Sequence, residues 1–344
     1  MKASAEKSLV DLRTDVLRSV SRSFYLSIRM LPAGLRDPVA LAYLLARATD
    51  TIADTAAVST TVRAEQLRNL AQAIAGDEPW TQSDRSLAGI FGPQQTDASE
   101  RVLLDAVPQQ LKWLASLPDE DRSDVRGVLQ KINQGQLLDI EHFTPPGAVR
   151  SFATADQLER YTYLVAGSVG EFWTQICSRH LAPFADRSDE EMCQLGIAYG
   201  KGLQLINILR DLGTDLQHGR CYLPADQLAA IGVEPDAFLD EPAQAESVIA
   251  HWRAKAADGV AAGIEYACAV ANRRVRFATA LPALIGARTL ALLRAAGTEF
   301  VATKVKVPRR EVQAIVSSGA ITLGSRRGIK RLFSRLSQPV SQRK

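Results

Sequence analysis

The sequence predicts an all-α protein, and three observations support this fold class. Apolar residues recur at spacings of three and four over long stretches, as at Leu103, Val107, Leu111 and Leu114. Aromatic residues make up only 6% of a chain rich in Ala, Leu, Arg and Val, which favours helix over sheet. No segment alternates apolar and polar residues over the length of a strand between hairpin turns. The periodicity predicts about ten to twelve helices.

Proline and glycine clusters separate these helices, and none is long enough to be an interdomain linker. They lie at residues 31–34, 92–93, 145–147, 182–183, 219–224 and 241–242. A chain of 344 residues is long enough for one large domain. We predict a single all-α domain over residues 1–324, followed by a basic tail over residues 325–344.

Composition and charge exclude several function classes. With 41 basic and 38 acidic residues, the net charge of +3 is too small for a general nucleic-acid binder. No apolar run reaches the roughly 20 residues of a membrane span, and residues 1–13 lack the apolar core of a signal peptide. The four cysteines are widely spaced, as is typical of reduced cytosolic thiols. We expect a cytoplasmic monomer that binds no nucleic acid.

A first polar stripe lies in residues 40–54, which the sequence predicts to be helical. Asp50 and Asp54 are four residues apart and therefore share one face of the helix. Arg47 precedes Asp50 by three residues, and Tyr43 precedes Arg47 by four, so both extend the same stripe. Alanine and leucine surround these polar residues.

A second polar stripe lies in residues 202–215, on another predicted helix. Gln204, Asn207, Asp211 and Asp215 follow spacings of three, four and four, and the other faces are rich in leucine and isoleucine. This stripe again combines two carboxylates with neutral oxygen donors.

The two acid pairs indicate a divalent cation. Like charges four residues apart repel by about 0.2–0.5 kcal/mol on an isolated helix, and burial makes them costlier unless a cation neutralises them. Carboxylate and amide oxygens suit Mg²⁺, with Mn²⁺ as an alternative, and Mg²⁺ commonly binds one or two carboxylates plus substrate phosphates. One pair alone is more simply a solvated acidic face; two pairs favour a metal-bridged diphosphate. The candidate metal ligands are Asp50, Asp54, Asn207, Asp211 and Asp215.

Four segments together resemble the squalene/phytoene synthase family, whose members join two prenyl diphosphates head to head. They are Ser-Arg-Ser-Phe at 21–24, Asp-Thr-Ile-Ala-Asp at 50–54, Tyr-Thr-Tyr-Leu-Val-Ala-Gly-Ser-Val-Gly at 161–170, and the second stripe with its Gly-Arg-Cys-Tyr-Leu-Pro continuation at 219–224. The resemblance runs from about Ser21 to Arg310. Thr55 departs from it, because squalene synthases of eukaryotic type often carry a further acid there, and we expect this change to tune the site.

The resemblance implies an isoprenoid-synthase-type helical bundle around a central cavity that binds two farnesyl diphosphates. It implies catalytic roles for the four aspartates and for Tyr161, as proton acceptor or relay, with assistance from Tyr43. From its own residues, Tyr161 would be an ordinary tyrosine at the edge of a helical core. Guanidinium groups suit phosphate, and apolar side chains keep water from an allylic cation. The candidate substrate-binding residues are Ser21, Arg22, Ser23, Phe24, Arg47, Val165, Val169, Gln204, Asn207, Arg210 and Arg220.

The family divides by product, and a basic segment favours the reductive branch. Squalene synthases reduce presqualene diphosphate with NADPH, whereas phytoene synthases couple two geranylgeranyl diphosphates without reduction. The chain has no Gly-x-Gly-x-x-Gly between a strand and a helix. Residues 303–310, however, resemble the segment of squalene synthases that helps bind NADPH, with Lys304, Lys306 and Arg309 as candidate phosphate contacts. A solvated basic loop is the alternative interpretation of this segment.

The sequence therefore predicts a Mg²⁺- and NADPH-dependent squalene synthase, most similar to bacterial ones. Residues 171–174 also resemble bacterial squalene-type enzymes more than plant phytoene synthases. The alternative is a non-reducing member that makes phytoene, dehydrosqualene or presqualene diphosphate. A catalytically inactive helical assembly protein is a remote alternative, because such a protein has no need for both acid pairs. A head-to-tail prenyltransferase or terpene cyclase is disfavoured by the segments at 21–24 and 161–170.

The tail predicts a short amphipathic helix. Residues 325–344 contain seven basic residues and no acidic one, so the rest of the chain has 34 basic and 38 acidic residues. Ile329, Leu332, Phe333 and Leu336 recur at spacings of three and four. Such a helix could rest on the anionic inner face of a membrane as a peripheral attachment, and a disordered tail is the alternative.

Overall fold

The computed structural model describes residues 11–21, 23–77, 87–143, 148–322 and 325–338, and these residues are mainly helical. The prediction of an all-α protein is therefore confirmed. Strand structure in this part of the chain consists of two very short segments, β1 (Arg150–Ser151) and β2 (Arg220–Cys221). They pair in parallel, with Arg150 opposite Arg220 and Ser151 opposite Cys221.

Backbone contacts divide the chain into two compact units. The N-terminal unit comprises Met1–Glu141 and Gln175–His180, and the C-terminal unit comprises His142–Thr174 and Leu181–Lys344. Both units contain residues from the predicted site. The prediction of one domain over residues 1–324, with a separate tail, remains a prediction.

The N-terminal unit is built around one long helix. Its π-helical turn (Leu12–Val16) precedes α1 (Leu17–Ser21), α2 (Ser23–Met30), α3 (Ala33–Asp54), α4 (Thr60–Ala75), α5 (Leu87–Phe91), α6 (Ala98–Asp105), α7 (Val107–Ser116) and α8 (Asp119–His142). Leu41, Leu44, Leu45, Ala48 and Ile52 of α3 are buried. Because α3 packs against α4, α6 and α7, its apolar face is fixed.

The C-terminal unit has three long helices at its centre. Its helices are α9 (Ala155–Thr162), a π-helical turn (Tyr163–Gly167), α10 (Ser168–His180, whose last six residues belong to the N-terminal unit), α11 (Asp189–Gln217), α12 (Ala225–Ala229), α13 (Glu246–Ala269), α14 (Arg273–Ala296), α15 (Arg309–Thr322) and α16 (Arg326–Leu336). The side chains of Ser188 and Glu191 form a capping box that starts α11. Helix α11 packs along α13, and α13 packs along α14.

Glycines bring the backbone of α11 very close to its neighbours. A Cβ atom on Gly202 would lie 2.7 Å from Cα of Gly259 in α13. A Cβ atom on Gly200 would lie 2.2 Å from the carbonyl oxygen of Ala166, in the π-helical turn. Side chains therefore cannot be added at these crossings without separating the elements. The close crossings fix α11 relative to the turn that follows Tyr161.

Helix α16 covers part of the C-terminal unit. Ile329 is 1% exposed and Leu336 is 6% exposed, and the helix packs against α13, α14 and α15. The predicted amphipathic helix therefore forms, but protein covers these two apolar side chains. Within the described residues, one helix, α14, is long and apolar enough to cross a membrane by length and composition, although 78% of its apolar window is buried inside the structure.

Candidate active site

The first acid pair lies in the last turns of α3. Arg47 Nη1 donates a hydrogen bond to Asp50 Oδ2 at 2.8 Å, as the shared helix face predicted. Arg47 Nε also donates to Glu100 Oε1 at 3.1 Å, so one guanidinium bridges two carboxylates. Asp54 is the last residue of α3 and is exposed.

Glu100, on α6, is a member of this cluster that sequence analysis missed. Only 8% of the residue is exposed, and its second carboxylate oxygen accepts a hydrogen bond from the hydroxyl of Thr51. The hydrogen bonds from Arg47 and Thr51 give this buried side chain polar partners in place of water. The contact spans 49 residues of sequence, and no spacing rule could have predicted it.

The first cluster has an excess of negative charge. Partial burial of Asp50, together with repulsion from Asp54 and Glu100, raises the pKa of Asp50 to about 7, although Arg47 acts in the opposite direction. Arg47 thus pairs with two carboxylates, and Asp54 adds a third negative charge near Asp50. A bound cation would stabilise the charged carboxylates and reverse this direction. The donor set and its charge therefore fit a divalent metal ion.

A polar cavity of roughly 340 Å³ lies beside this cluster. Its lining includes Arg47, Asp54, Gln95 and Glu100, and Gln95 Nε2 donates a hydrogen bond to Thr55 Oγ1 at 2.7 Å. The volume is at the lower end of the range of small-molecule sites, about 300–1,000 Å³. Charged and amide side chains suit a hydrated cation or a phosphate group better than a hydrocarbon chain. Thr55, where the sequence departs from the family, thus helps to hold the wall of this cavity.

The second acid pair lies near the end of α11. Asn207 Nδ2 donates to Gln204 Oε1 at 3.3 Å, so the two predicted amide ligands contact each other. Arg210 forms a two-point ion pair with Asp211, with Nε to Oδ1 at 3.1 Å and Nη2 to Oδ2 at 2.5 Å. Asp215, one turn further on, is half-buried. Asp211, a predicted metal ligand, and Arg210, a predicted phosphate contact, are therefore bonded to each other.

The candidate cofactor segment follows a turn that packs against α11, the helix of the second acid pair. Gly213 lies between Asp211 and Asp215, and a Cβ atom on it would lie only 1.7 Å from the carbonyl oxygen of Val301. This contact fixes the short turn Glu299–Val301 against α11. Three residues after Val301, Lys304 opens an extended segment in which it and Lys306 are exposed. Arg309, also exposed, starts α15.

Tyr161 lies in an aromatic cluster. The residue is 7% exposed, and its ring stacks on Tyr222, with centroids 5.3 Å apart and planes at 24°. Phe152 contacts both rings, at 5.5 Å from Tyr161 and 5.9 Å from Tyr222, and Phe143 lies 5.1 Å from Tyr222. The β1–β2 pairing brings Phe152 and Tyr222 together, each directly after its strand. Sequence analysis quoted Tyr222 within a family segment but gave it no role, and it missed Phe143 and Phe152.

Two lysines fix the helix that carries Tyr161. Lys255 Nζ of α13 lies 2.6 Å from Glu159 Oε1, and Lys201 of α11 pairs with the other carboxylate oxygen. Burial would raise the pKa of Glu159, but hydrogen bonds from the two ammonium groups outweigh it and lower the pKa. Glu159 therefore joins three helices two residues before Tyr161.

The remaining predicted residues have varied surroundings. Tyr43 Oη donates to the carbonyl oxygen of Val20 at 3.1 Å, and the Ser21 hydroxyl donates to the carbonyl oxygen of Leu17. Ser21 is 5% exposed, so its hydroxyl is used within the helix. The other positions are as follows: Ser23 and Phe24 start α2, Val165 is half-buried, Val169 is 42% exposed, Arg220 lies in β2, and Arg22 lies outside the described residues.

Metal binding at these positions would need ligands beyond the protein. Within the part of the chain that the structure describes, no three His, Cys, Asp or Glu side chains converge as a metal site. Mg²⁺ usually takes one or two carboxylates and completes its shell with water and substrate phosphates. Each acid pair supplies that number of carboxylates.

The fold and the family follow from comparison with known proteins. The chain has the all-α fold of isoprenoid synthases: a solved structure of TcSQS with the ligand E5700 superposes with a TM-score of 0.75 at 24% identity, covering 96% of this chain and 93% of that one. The sequence profile described as squalene/phytoene synthase matches residues 17–311. The chain belongs to the squalene/phytoene synthase family, as its motifs predicted.

Its curated relatives include both branches of that family. Squalene synthase BSS of Botryococcus braunii is 30% identical over 216 residues, which are 62% of this chain and 41% of that protein. A 15-cis-phytoene synthase of Paracoccus sp. is 27% identical over 237 residues, which are 68% of this chain and 66% of that protein. The matched region thus spans less than two thirds of either relative.

Proposed function

We propose that this protein is a squalene synthase. It joins two farnesyl diphosphates into presqualene diphosphate, releasing one diphosphate and one proton. It then reduces presqualene diphosphate with NADPH to squalene, releasing NADP⁺ and the second diphosphate. The observation that carries the proposal is the Gly213–Val301 contact, which packs the turn before the basic segment against α11, the helix that carries the second acid pair.

The two acid pairs would hold Mg²⁺, and the metal would bind the diphosphate groups there. When bound, the metal supplies charge neutralisation and orientation for the leaving diphosphate. Asp50 and Asp54 would hold a metal ion on α3, and Asn207, Asp211 and Asp215 would hold a metal ion on α11. The excess negative charge around Asp50 supports this assignment.

Two arginines supply the phosphate contacts. Arg47 is bonded to Asp50 and Glu100, and Arg210 is bonded to Asp211. A diphosphate offers each guanidinium new acceptors, and this frees carboxylate oxygens of Asp50 and Asp211 for the metal. Glu100 keeps its bond to Arg47 and so holds the guanidinium in place during this exchange.

The aromatic cluster stabilises the carbocation and protects it from water. The faces of Tyr161, Tyr222 and Phe152 carry partial negative charge and stabilise a nearby allylic cation. Their mutual packing also excludes water, which would otherwise quench the cation. Tyr161 accepts or relays the proton that leaves after the new carbon–carbon bond forms, and the Glu159 ion pairs hold its helix in position.

The basic segment binds the reductant. Lys304, Lys306 and Arg309 place positive charge where the phosphates of NADPH would bind, and NADPH supplies the hydride of the second step. All three side chains are exposed and so accessible to a cofactor.

A non-reducing activity is the second candidate. The 15-cis-phytoene synthase of Paracoccus sp. matches a larger share of this chain than the Botryococcus squalene synthase does. Such an enzyme would couple two prenyl diphosphates, of farnesyl or geranylgeranyl length, without NADPH.

A double variant tests the NADPH-dependent reduction separately from the condensation of the two farnesyl diphosphates. Lys304→Ala with Lys306→Ala should leave presqualene diphosphate formation unchanged, raise the KM for NADPH and lower squalene output. Arg68→Ala with Lys112→Ala removes two exposed cations elsewhere and serves as the matched control. Unchanged NADPH kinetics in the first variant would refute the placement of the cofactor. No squalene from wild-type enzyme, with phytoene or dehydrosqualene instead, would establish the second candidate.

A further inference from the structure

Helix α16 presents a row of cations to the solvent. Its cationic face consists of Arg327, Lys330, Arg331 and Arg335, which recur at helical spacing and are all exposed. On the opposite side, Ile329 and Leu336 are buried, and Leu332 and Phe333 are half-buried. One side of the helix is thus basic and exposed, and the opposite side is apolar and covered.

The apolar side is already in use within the protein. Ala257, Val260, Leu290 and Phe333 line a small void of roughly 50 Å³ beneath the helix, so these apolar groups meet there. Arg326 Nη2 also pairs with Asp186 Oδ2 at 2.8 Å and joins the start of the helix to the loop between α10 and α11. The helix is therefore docked on the C-terminal unit, and its cationic face is the side left for a partner.

More positive charge surrounds this face at the start of α14. Arg273 and Arg274 are exposed, and Arg276 beside them is buried. Burial of Arg276, together with the charges of Arg326 and Arg273, lowers its pKa. Positive charge from both helices thus acts at Arg276, in a chain whose residues before 325 have more acidic than basic groups.

We propose that the cationic face of α16 binds the anionic headgroups of a membrane surface, with the helix remaining docked on the protein. The attachment is electrostatic, because protein covers the apolar side chains that would otherwise enter the bilayer. None of the four residues of the face is an aromatic side chain on which bases could stack, and the chain before residue 325 has more acidic than basic residues, which disfavours the broad basic surface of a nucleic-acid binder. A lipid surface therefore fits better than a nucleic acid.

Sedimentation with vesicles tests this proposal without any substrate, so its outcome is independent of the proposed activity. Wild-type protein should sediment with vesicles of phosphatidylcholine containing about one third phosphatidylglycerol, and not with pure phosphatidylcholine. High salt should release it, because screening weakens contacts between exposed charges. Near an anionic surface each Lys or Arg is worth about fivefold in affinity, so Arg327→Gln with Lys330→Gln and Arg331→Gln should weaken binding by on the order of 100-fold.

The control removes the same charge elsewhere. Arg29→Gln with Arg68→Gln and Lys112→Gln deletes three exposed cations of the N-terminal unit. This variant should bind vesicles almost as wild type does, and circular dichroism should show both variants folded. Equal losses in both variants would refute a dedicated surface, and undiminished binding to neutral vesicles would show apolar insertion instead. Tighter binding to a DNA duplex than to the vesicles, lost in the α16 variant, would assign the face to nucleic acid.

Discussion

Replacement of Glu100 tests the organisation of the first acid pair. Glu100→Gln keeps the size of the side chain but removes its charge, so Arg47 loses one of its two carboxylate partners. A hydrogen bond to a charged group contributes about 1.5–3 kcal/mol when buried. Because the Arg47 side chain is 38% exposed, we take the lower half of that range, about 2 kcal/mol.

The assay is steady-state kinetics of presqualene diphosphate formation at varied Mg²⁺. With Glu100 neutral, the Arg47 guanidinium binds Asp50 more tightly and competes with the metal ion. We expect kcat/KM to fall about 30-fold, which corresponds to about 2 kcal/mol, and the Mg²⁺ concentration for half-maximal rate to rise. A residue that only supports the fold would lower the rate at all Mg²⁺ concentrations equally.

Two further variants make the interpretation specific. Glu65→Gln neutralises an exposed glutamate on α4 and should leave the kinetics unchanged. Thr51→Val removes the other donor to Glu100 while keeping Arg47, so it should have a smaller effect on Mg²⁺ dependence. Wild-type Mg²⁺ dependence in the Glu100→Gln enzyme would refute the reasoning.

Four other substitutions test other parts of the structure. Gly213→Ala should lower the free energy of unfolding by about 3 kcal/mol in urea titrations, because its Cβ atom would overlap a backbone carbonyl oxygen at 1.7 Å. Gly127→Ala, with no atom within 4 Å of its Cβ position, should instead stabilise the protein by about 0.5–1 kcal/mol. Folding lowers the pKa of Glu159, so its ion pairs stabilise the protein at pH values above the ordinary glutamate pKa of about 4.3. This stabilisation is lost as the pH falls through the lowered pKa of the folded state. Glu159→Gln should therefore make the free energy of unfolding depend less on pH on the acid side. Arg210→Lys should raise the KM for farnesyl diphosphate, since an ammonium cannot form the two-point contact, and an unchanged KM would remove Arg210 from the site.

The polar stripes on α3 and α11 could be predicted because helical periodicity is a local property of the sequence. Asp50 and Arg47 lie where their spacing placed them, and they contact each other as expected. Gln204 and Asn207 likewise contact each other on one face of α11. Residues within one helix need only the pitch of that helix to be placed.

Contacts between distant segments could not be predicted in this way. Glu100 reaches Arg47 across 53 residues, and Phe152 meets Tyr222 only because β1 and β2 pair. Neither contact leaves a periodic signal in the sequence. The partner of Arg210 was equally open, because an arginine beside an aspartate can bind it or a ligand.

The tail shows a different limit of sequence analysis. Its amphipathic pattern correctly predicts a helix, but the pattern does not indicate whether protein or lipid covers the apolar side. In the structure, protein covers Ile329 and Leu336, and the basic residues remain exposed. The same pattern would serve a helix whose apolar side enters a bilayer.

The most direct test of the central claim is product analysis with labelled reductant. The purified protein would be incubated with farnesyl diphosphate, Mg²⁺ and NADPH carrying deuterium at the transferred position, and the extracted products would be analysed by mass spectrometry. We predict squalene with a single deuterium when NADPH is present and presqualene diphosphate when it is omitted. Phytoene, dehydrosqualene or presqualene products that are the same with and without NADPH would contradict the proposed reductive step.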